Sequence, residues 1–230
     1  WATTLNAEGG VDWGQALMEK KSCHNMKTMD PLPLLPSQIT GLILAGGRGS
    51  RMGGVDKGLR TLHGRPMVAA VIERFAPQVS ELLINANQNI EVYAQFGYRV
   101  IPDVIGGFAG PLAGLHAALS AASHPLVATA PCDSPFLPTD VVARLHEAMS
   151  TNDAQLTVAK TGKQAHPVFC LCRRDVLPHL EQFLAGGGRK IDLWYATLRV
   201  AEVNFDDVAE AFSNINSPQE LAAFEKAPPR

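Results

Sequence analysis

The segment Leu44-Ala45-Gly46-Gly47-Arg48-Gly49-Ser50-Arg51-Met52-Gly53-Gly54-Val55-Asp56-Lys57 is the first place where chemistry can be read from residue types and spacing. Glycines allow a backbone to approach a ligand closely, and successive free N–H groups form a nest for an anion. Arg51 and Lys57 add fixed positive charge, so the loop suits a triphosphate. Two familiar phosphate loops are excluded. Lys57 is followed by Gly58, where a Walker A loop needs Ser or Thr. The run Gly47–Gly53 misses the GxGxxG spacing by one residue. An ordinary strand-to-helix connection would not require this length, these glycines and two cations together.

A second element is Asp133 in Ala130-Pro131-Cys132-Asp133-Ser134-Pro135. A carboxylate at the end of a buried strand can hold Mg²⁺, which takes one or two carboxylates together with phosphates and water. Capping of the next helix is the plainer role for such an Asp. Asn85, Asn87 and Asp103 form a third group, each at the end of an expected strand. Their amides and carboxylate match the donors and acceptor of a base edge such as guanine's. Taken singly, each would be read as a turn residue.

These residues need strands to carry them. Gly41–Ala45 is a short apolar run, as in a strand buried on both faces of a parallel sheet. Further strands are expected at Leu82–Asn85, Tyr98–Ile101, Leu126–Ala130, Leu156–Lys160, Pro167–Leu171 and Val200–Val203. Helices are expected at Pro66–Phe75, with proline in the first turn, and near Ile90–Phe96. More follow at Leu112–Ala122, Thr139–Met149, Asp175–Leu184 and Ser217–Phe224. Ser217, Pro218 and Glu220 together spell a capping box. Strands alternating with helices predict an α/β fold with a doubly wound, mainly parallel, Rossmann-like sheet. In such sheets ligands sit beyond the carboxyl ends of the strands, where Lys57, Asn85, Asp103 and Asp133 all fall.

Composition narrows the class. The 230 residues are 46% hydrophobic with net charge −2, enough to bury a core and without the basic concentration of a nucleic-acid binder. Cys23, Cys132, Cys170 and Cys172 form no CxxC pair, so reduced, packed thiols and a cytoplasmic setting are expected. No stretch reaches the roughly 18 apolar residues of a membrane span. Residues 1–38 lack any period and crowd Pro31, Pro33 and Pro36, so they read as a disordered N-terminal extension before a domain at 39–227.

The segment Leu44–Lys57, with Asn85, Asp103, Pro131–Pro135 and Asn214-Ile215-Asn216, resembles the molybdenum cofactor guanylyltransferase family over about Ile39–Phe224. The resemblance implies a nucleotidyltransferase fold and transfer of GMP from GTP to molybdenum–molybdopterin, with Mg²⁺ as cofactor. It implies that Leu44, Ala45 and Gly46 line the nucleotide site, that Lys57 and Arg51 act on the phosphates, and that Asn85 and Asp103 bind nucleotide. It implies Asp133 for both nucleotide and Mg²⁺. Asn214 and Asn216 would stand on the phosphate or pterin side, and His166 near the pterin, which the second half of the chain would bind. Molybdoenzymes or their chaperones would be further partners. Guanine-using members carry Leu-Ala-Gly-Gly at 44–47, where cytosine-using relatives carry Leu-Ala-Ala-Gly. A cytidylyl- or sugar-phosphate nucleotidyltransferase is the nearest rival, and a non-catalytic guanine-nucleotide adaptor the more distant one.

Overall fold

The computed structural model describes residues 38–45, 56–106, 110–215 and 217–226. Gly46, Arg51 and Asn216, along with the proposed N-terminal extension and Cys23, lie outside the described residues. A seven-stranded sheet is ordered β5-β4-β1-β6-β8-β7-β9. Its strands are β1 (Ile39–Leu44), β4 (Glu81–Asn85), β5 (Arg99–Ile101), β6 (Leu126–Pro131), β7 (Leu156–Thr161), β8 (Gln164–Arg173) and β9 (Val200–Asn204). The apolar run of β1 lies between β4 and β6, parallel to both. Its one polar side chain, buried Thr40, donates to Glu81 at 2.7 Å.

Helices cover both faces, as expected. α1 (Met67–Phe75), α2 (Ile90–Ala94) and α4 (Val141–Thr151) pack on one face with Ile43, Ala128 and Leu171. α3 (Pro111–Ala121), α5 (Leu177–Ala185) and α6 (Ile191–Tyr195) pack on the other with Leu42, Leu83 and Cys170. Successive strand residues point to opposite faces, which divides one strand between the two cores. Cys170 and Cys172 share the second face, as their spacing predicts, and both are buried free thiols.

The sheet is parallel except at β8, which runs antiparallel to β6 and β7. This reversal matters for function. The start of β8 meets the carboxyl ends of β6 and β7, so the turn at 162–163 joins Leu44, Asn85, Ile101 and Asn204 along one edge. The β7–β8 ladder slips between Val158↔Cys170 and Ala159↔His166. A bulge frees local carbonyls, and nearby hydroxyls satisfy them. Tyr195 donates to the Pro167 carbonyl and Thr129 to that of Val168, each at 2.7 Å.

One expectation is corrected. Pro66 does not open the helix from within its first turn. It is extended (φ −55°, ψ 137°) as the N-cap of α1 and pairs with Thr61 in a small hairpin, β2 (Thr61–Leu62) with β3 (Arg65–Pro66). The hairpin's two central residues, His63 and Gly64, both have positive φ, as a two-residue type I′ turn requires. The last helix, α7 (Pro218–Lys226), has the expected capping box: Ser217 N–H donates to Glu220 at 2.9 Å and Glu220 N–H to Ser217 Oγ at 3.2 Å. Among the described residues no helix is long and apolar enough to cross a membrane.

Candidate active site

The ends of three neighbouring strands are stitched together before any side chain is considered. Ala45 N–H donates to the Asn85 carbonyl at 2.8 Å, and Cys132 N–H to that of Leu44 at 3.1 Å. The loops after β1, β4 and β6 therefore leave the sheet side by side.

Asn85, last in β4, is 2% exposed. Its amide nitrogen donates to the Ile101 carbonyl at 3.2 Å and to Asp103 Oδ1 at 2.9 Å. The amide of Asn87 donates to Asp103 Oδ2 at 2.7 Å, while its oxygen accepts from Asp103 N–H at 2.8 Å. The expected trio is thus one hydrogen-bonded unit. Gly114 of α3 supports it: a Cβ there would stand 2.5 Å from both Asn85 Oδ1 and Leu44 Cδ2. Sequence reading did not single out this glycine, because a Gly within a run of small helical residues carries no distinguishing signal.

Lys57 and Asp133 are brought together from 76 residues apart. The ammonium nitrogen lies 3.2 Å from Asp133 Oδ2, with side-chain exposures of 28% and 11%. An ion pair this accessible on one side stays available to an incoming phosphate. Beside it Cys132 is buried, and burial together with the carboxylates of Asp133 and Asp56 pushes its thiol well above the usual range. Cys132 is therefore a neutral packing group and no nucleophile.

The loop after Asp133 is anchored to a distant segment. Ser134 Oγ donates to Asn214 Oδ1, and Ile215 N–H donates to the Asp133 carbonyl at 3.1 Å. Ile215 is fully buried with Leu62 and Met67, against which Phe136, Leu221 and Phe224 pack. Asn214 also lines a cavity of about 320 Å³ with Thr161, Gln164, His166 and Phe212. There the His166 ring stacks on Phe212 at 4.9 Å and meets Thr161 Oγ1 at 2.7 Å, and burial lowers its pKa. His166, which sequence placed loosely before a strand, sits beyond the bulge in β8.

The donor set discriminates between metals. Among the described residues no cluster of three or more His, Cys, Asp or Glu could cage an ion. A single, mostly buried carboxylate fits a hard cation that brings its own water and phosphate ligands, and does not fit a zinc site.

The chain is similar to known proteins over most of its length. Residues 41–199 match the family model described as MobA-like NTP transferase domain. The chain is 54% identical over 192 residues to the molybdenum cofactor guanylyltransferase of Cupriavidus taiwanensis, covering 81% of this chain and 96% of that protein. It is 47% identical over 196 residues to the protein of the same name from Polynucleobacter asymbioticus, covering 84% and 98%. Among solved structures, molybdopterin-guanine dinucleotide biosynthesis protein A from Archaeoglobus fulgidus superposes with a TM-score of 0.67 at 23% identity, over 81% of this chain and 97% of that one. The 4-diphosphocytidyl-2C-methyl-D-erythritol synthase of Anaerococcus prevotii does so with 0.65 at 12% identity, over 82% and 94%.

Proposed function

The chain belongs to the molybdenum cofactor guanylyltransferases, and from that premise we propose that it transfers GMP from GTP to molybdenum–molybdopterin, forming the guanine dinucleotide cofactor and pyrophosphate. The observation that carries this reading is the Lys57–Asp133 pair, set at the sheet's carboxyl edge where the Gly-rich segment begins.

The terminal phosphate of the pterin attacks the α-phosphorus of GTP, and the bond to the bridging oxygen breaks to release pyrophosphate. The nucleophile is already anionic at neutral pH, so the protein's task is alignment and charge neutralisation. Lys57 is the group for the phosphates: its ammonium, held by Asp133 before nucleotide arrives, follows the charge that builds on the leaving pyrophosphate. Arg51 and the Gly46–Gly54 backbone are assigned the same task. Mg²⁺ is the proposed cofactor, with Asp133 as its protein ligand, and it would supply positive charge to the α-phosphate oxygens. The Asn85–Asp103 unit is assigned to the nucleotide, together with the backbone of Leu44, Ala45 and Gly46. Because the carboxylate is already oriented by two amides, it can accept from guanine without rearranging first.

We assign the pterin to the cavity at His166 and Phe212. Its stacked rings and polar rim of Thr161, Gln164 and Asn214 suit a flat heterocycle rich in donors and acceptors. Asn214 links that cavity to the Asp133 loop through Ser134, and Asn216 is assigned to the same side. A cytoplasmic location, and delivery to molybdoenzymes or their chaperones, complete the proposal. The test is a nucleotide panel with pyrophosphate detection, with and without molybdenum–molybdopterin. Pyrophosphate release that needs both GTP and the pterin supports it; GTP binding without release would leave only an adaptor.

A further inference from the structure

Lys57 must be delivered by something, since it extends from the end of a glycine-rich segment. Of its two chain neighbours, Asp56 is held by α2 and its N-cap, and Gly58 packs against α2. Asp56 has each carboxylate oxygen engaged: Oδ1 accepts from the Tyr93 hydroxyl at 2.6 Å and from Gly58 N–H at 3.2 Å, and Oδ2 accepts from the Asn89 amide at 3.1 Å. On the other side Gly58 fits a slot between α2 and β6. A Cβ there would lie 2.6 Å from the Tyr93 hydroxyl and 3.0 Å from Cys132 Cβ. The Gly58 carbonyl then accepts from Val68 N–H at 2.9 Å, which ties the turn to α1. Tyr93 itself is fully buried. Burial, with the nearby Cys132 thiol and the Asp56 carboxylate, raises its pKa, so the hydroxyl stays a proton donor.

This arrangement does two things to Lys57. It fixes the backbone on both sides of the residue. It also occupies the adjacent carboxylate, which would otherwise compete with Asp133 and with phosphate for the ammonium. An engaged carboxylate is a weaker rival than a bare one, because three donors already occupy most of its roughly four acceptor sites. We propose that Tyr93, assisted by Asn89, is a positioning residue that clamps Asp56 and thereby aims Lys57 at the triphosphate of the nucleotide. The inference rests on the assignment of Lys57 to the nucleotide phosphates.

Tyr93→Phe removes the hydroxyl and leaves the ring in the core. GMP transfer to molybdenum–molybdopterin and GTP binding are measured for the unmodified protein, Tyr93→Phe, Lys57→Ala and the double variant. A displacement of a fraction of an ångström at the phosphates should lower kcat/KM for GTP by about tenfold, with KM for the pterin unchanged. In the Lys57→Ala background the same substitution should cost less than about twofold, because residues acting through one another are non-additive. A residue that merely supports the fold would lower the melting temperature and give the same loss in both backgrounds; that result overturns the proposal, as does an unchanged kcat/KM. Should Tyr93→Phe not fold, Asn89→Gly serves in its place, since Asn89 is exposed and at φ 52°, a conformation glycine adopts freely. A loss of about threefold, again absent without Lys57, supports the clamp, and an additive loss or none overturns it. If Lys57→Ala alone binds and transfers normally, it is the assignment of Lys57 that fails.

Discussion

Gly114→Ala should weaken GTP binding although the substitution touches no ligand. The new methyl would lie 2.5 Å from Asn85 Oδ1 and from Leu44 Cδ2, well inside van der Waals contact. The two neighbours differ in how easily they yield: Leu44 Cδ2 ends a half-buried, flexible side chain, whereas the Asn85 amide is tied to Ile101 and Asp103. Overpacking of this kind costs about 1–3 kcal/mol. Alanine recovers about 1 kcal/mol of helix propensity over glycine. The net loss is then about 0–2 kcal/mol, which at about 2–4 °C per kcal/mol for a domain of this size lowers Tm by up to about 8 °C. If Asn85 turns aside, the support for Asp103 goes with it, and GTP affinity should fall by about tenfold, equivalent to about 1.4 kcal/mol. Thermal melts and calorimetric titration with GTP measure both quantities. A raised Tm with unchanged GTP affinity would show that the space beside Asn85 gives way, and the reasoning would fail.

Asp133→Asn keeps the side chain's shape and should cut turnover by at least ~10²-fold, the scale of one lost electrostatic contact to a transition state; near-normal turnover at saturating Mg²⁺ would place the metal elsewhere. Lys57→Ala should raise the Kd for GTP and slow transfer together, since its charge acts in the ground state and more strongly as pyrophosphate leaves; a change confined to the pterin's apparent affinity would assign Lys57 to the other substrate. GTP should be preferred over CTP and ATP, and Gly46→Ala should narrow the gap to CTP, read as kcat/KM for each nucleotide in both proteins. Equal use of CTP by the unmodified enzyme would overturn the base assignment and spare the transferase one.

How much of the fold is legible in the sequence follows from how local each cause is. The run Gly41–Ala45 announced a strand buried on both faces because every side chain in it is small or apolar. Asn85, Asp103 and Asp133 could be placed at one edge because each ends such a strand and parallel strands end together. The hairpin at Thr61–Pro66 was illegible: His63-Gly64 is not one of the usual turn pairs, and Pro66 could be assigned equally well to a helix start. α6 has only five residues after three glycines, too few to display a period, though it buries Trp194 completely. The contact of Tyr93 with Asp56 spans 37 residues and depends on the mutual placement of α2 and the Lys57 turn. No spacing rule in the chain encodes that placement.

The slip in β8 has a consequence for how this region can vary in length. Val158 and Ala159 are adjacent in β7 and so face opposite cores, yet their partners Cys170 and His166 are four residues apart in β8. In an unbroken strand, residues four apart share a face, which would send His166 to the side of Cys170. The bulge reverses that parity and brings the imidazole to Phe212 instead. Insertions and deletions in 167–169 are therefore governed by odd and even number: where the shortened strand pairs without a bulge, removing one or three residues keeps the histidine on its present side, whereas removing two sends it to the side of Cys170. Length variants at this point separate into two phases, and only one of them retains the stacked pair.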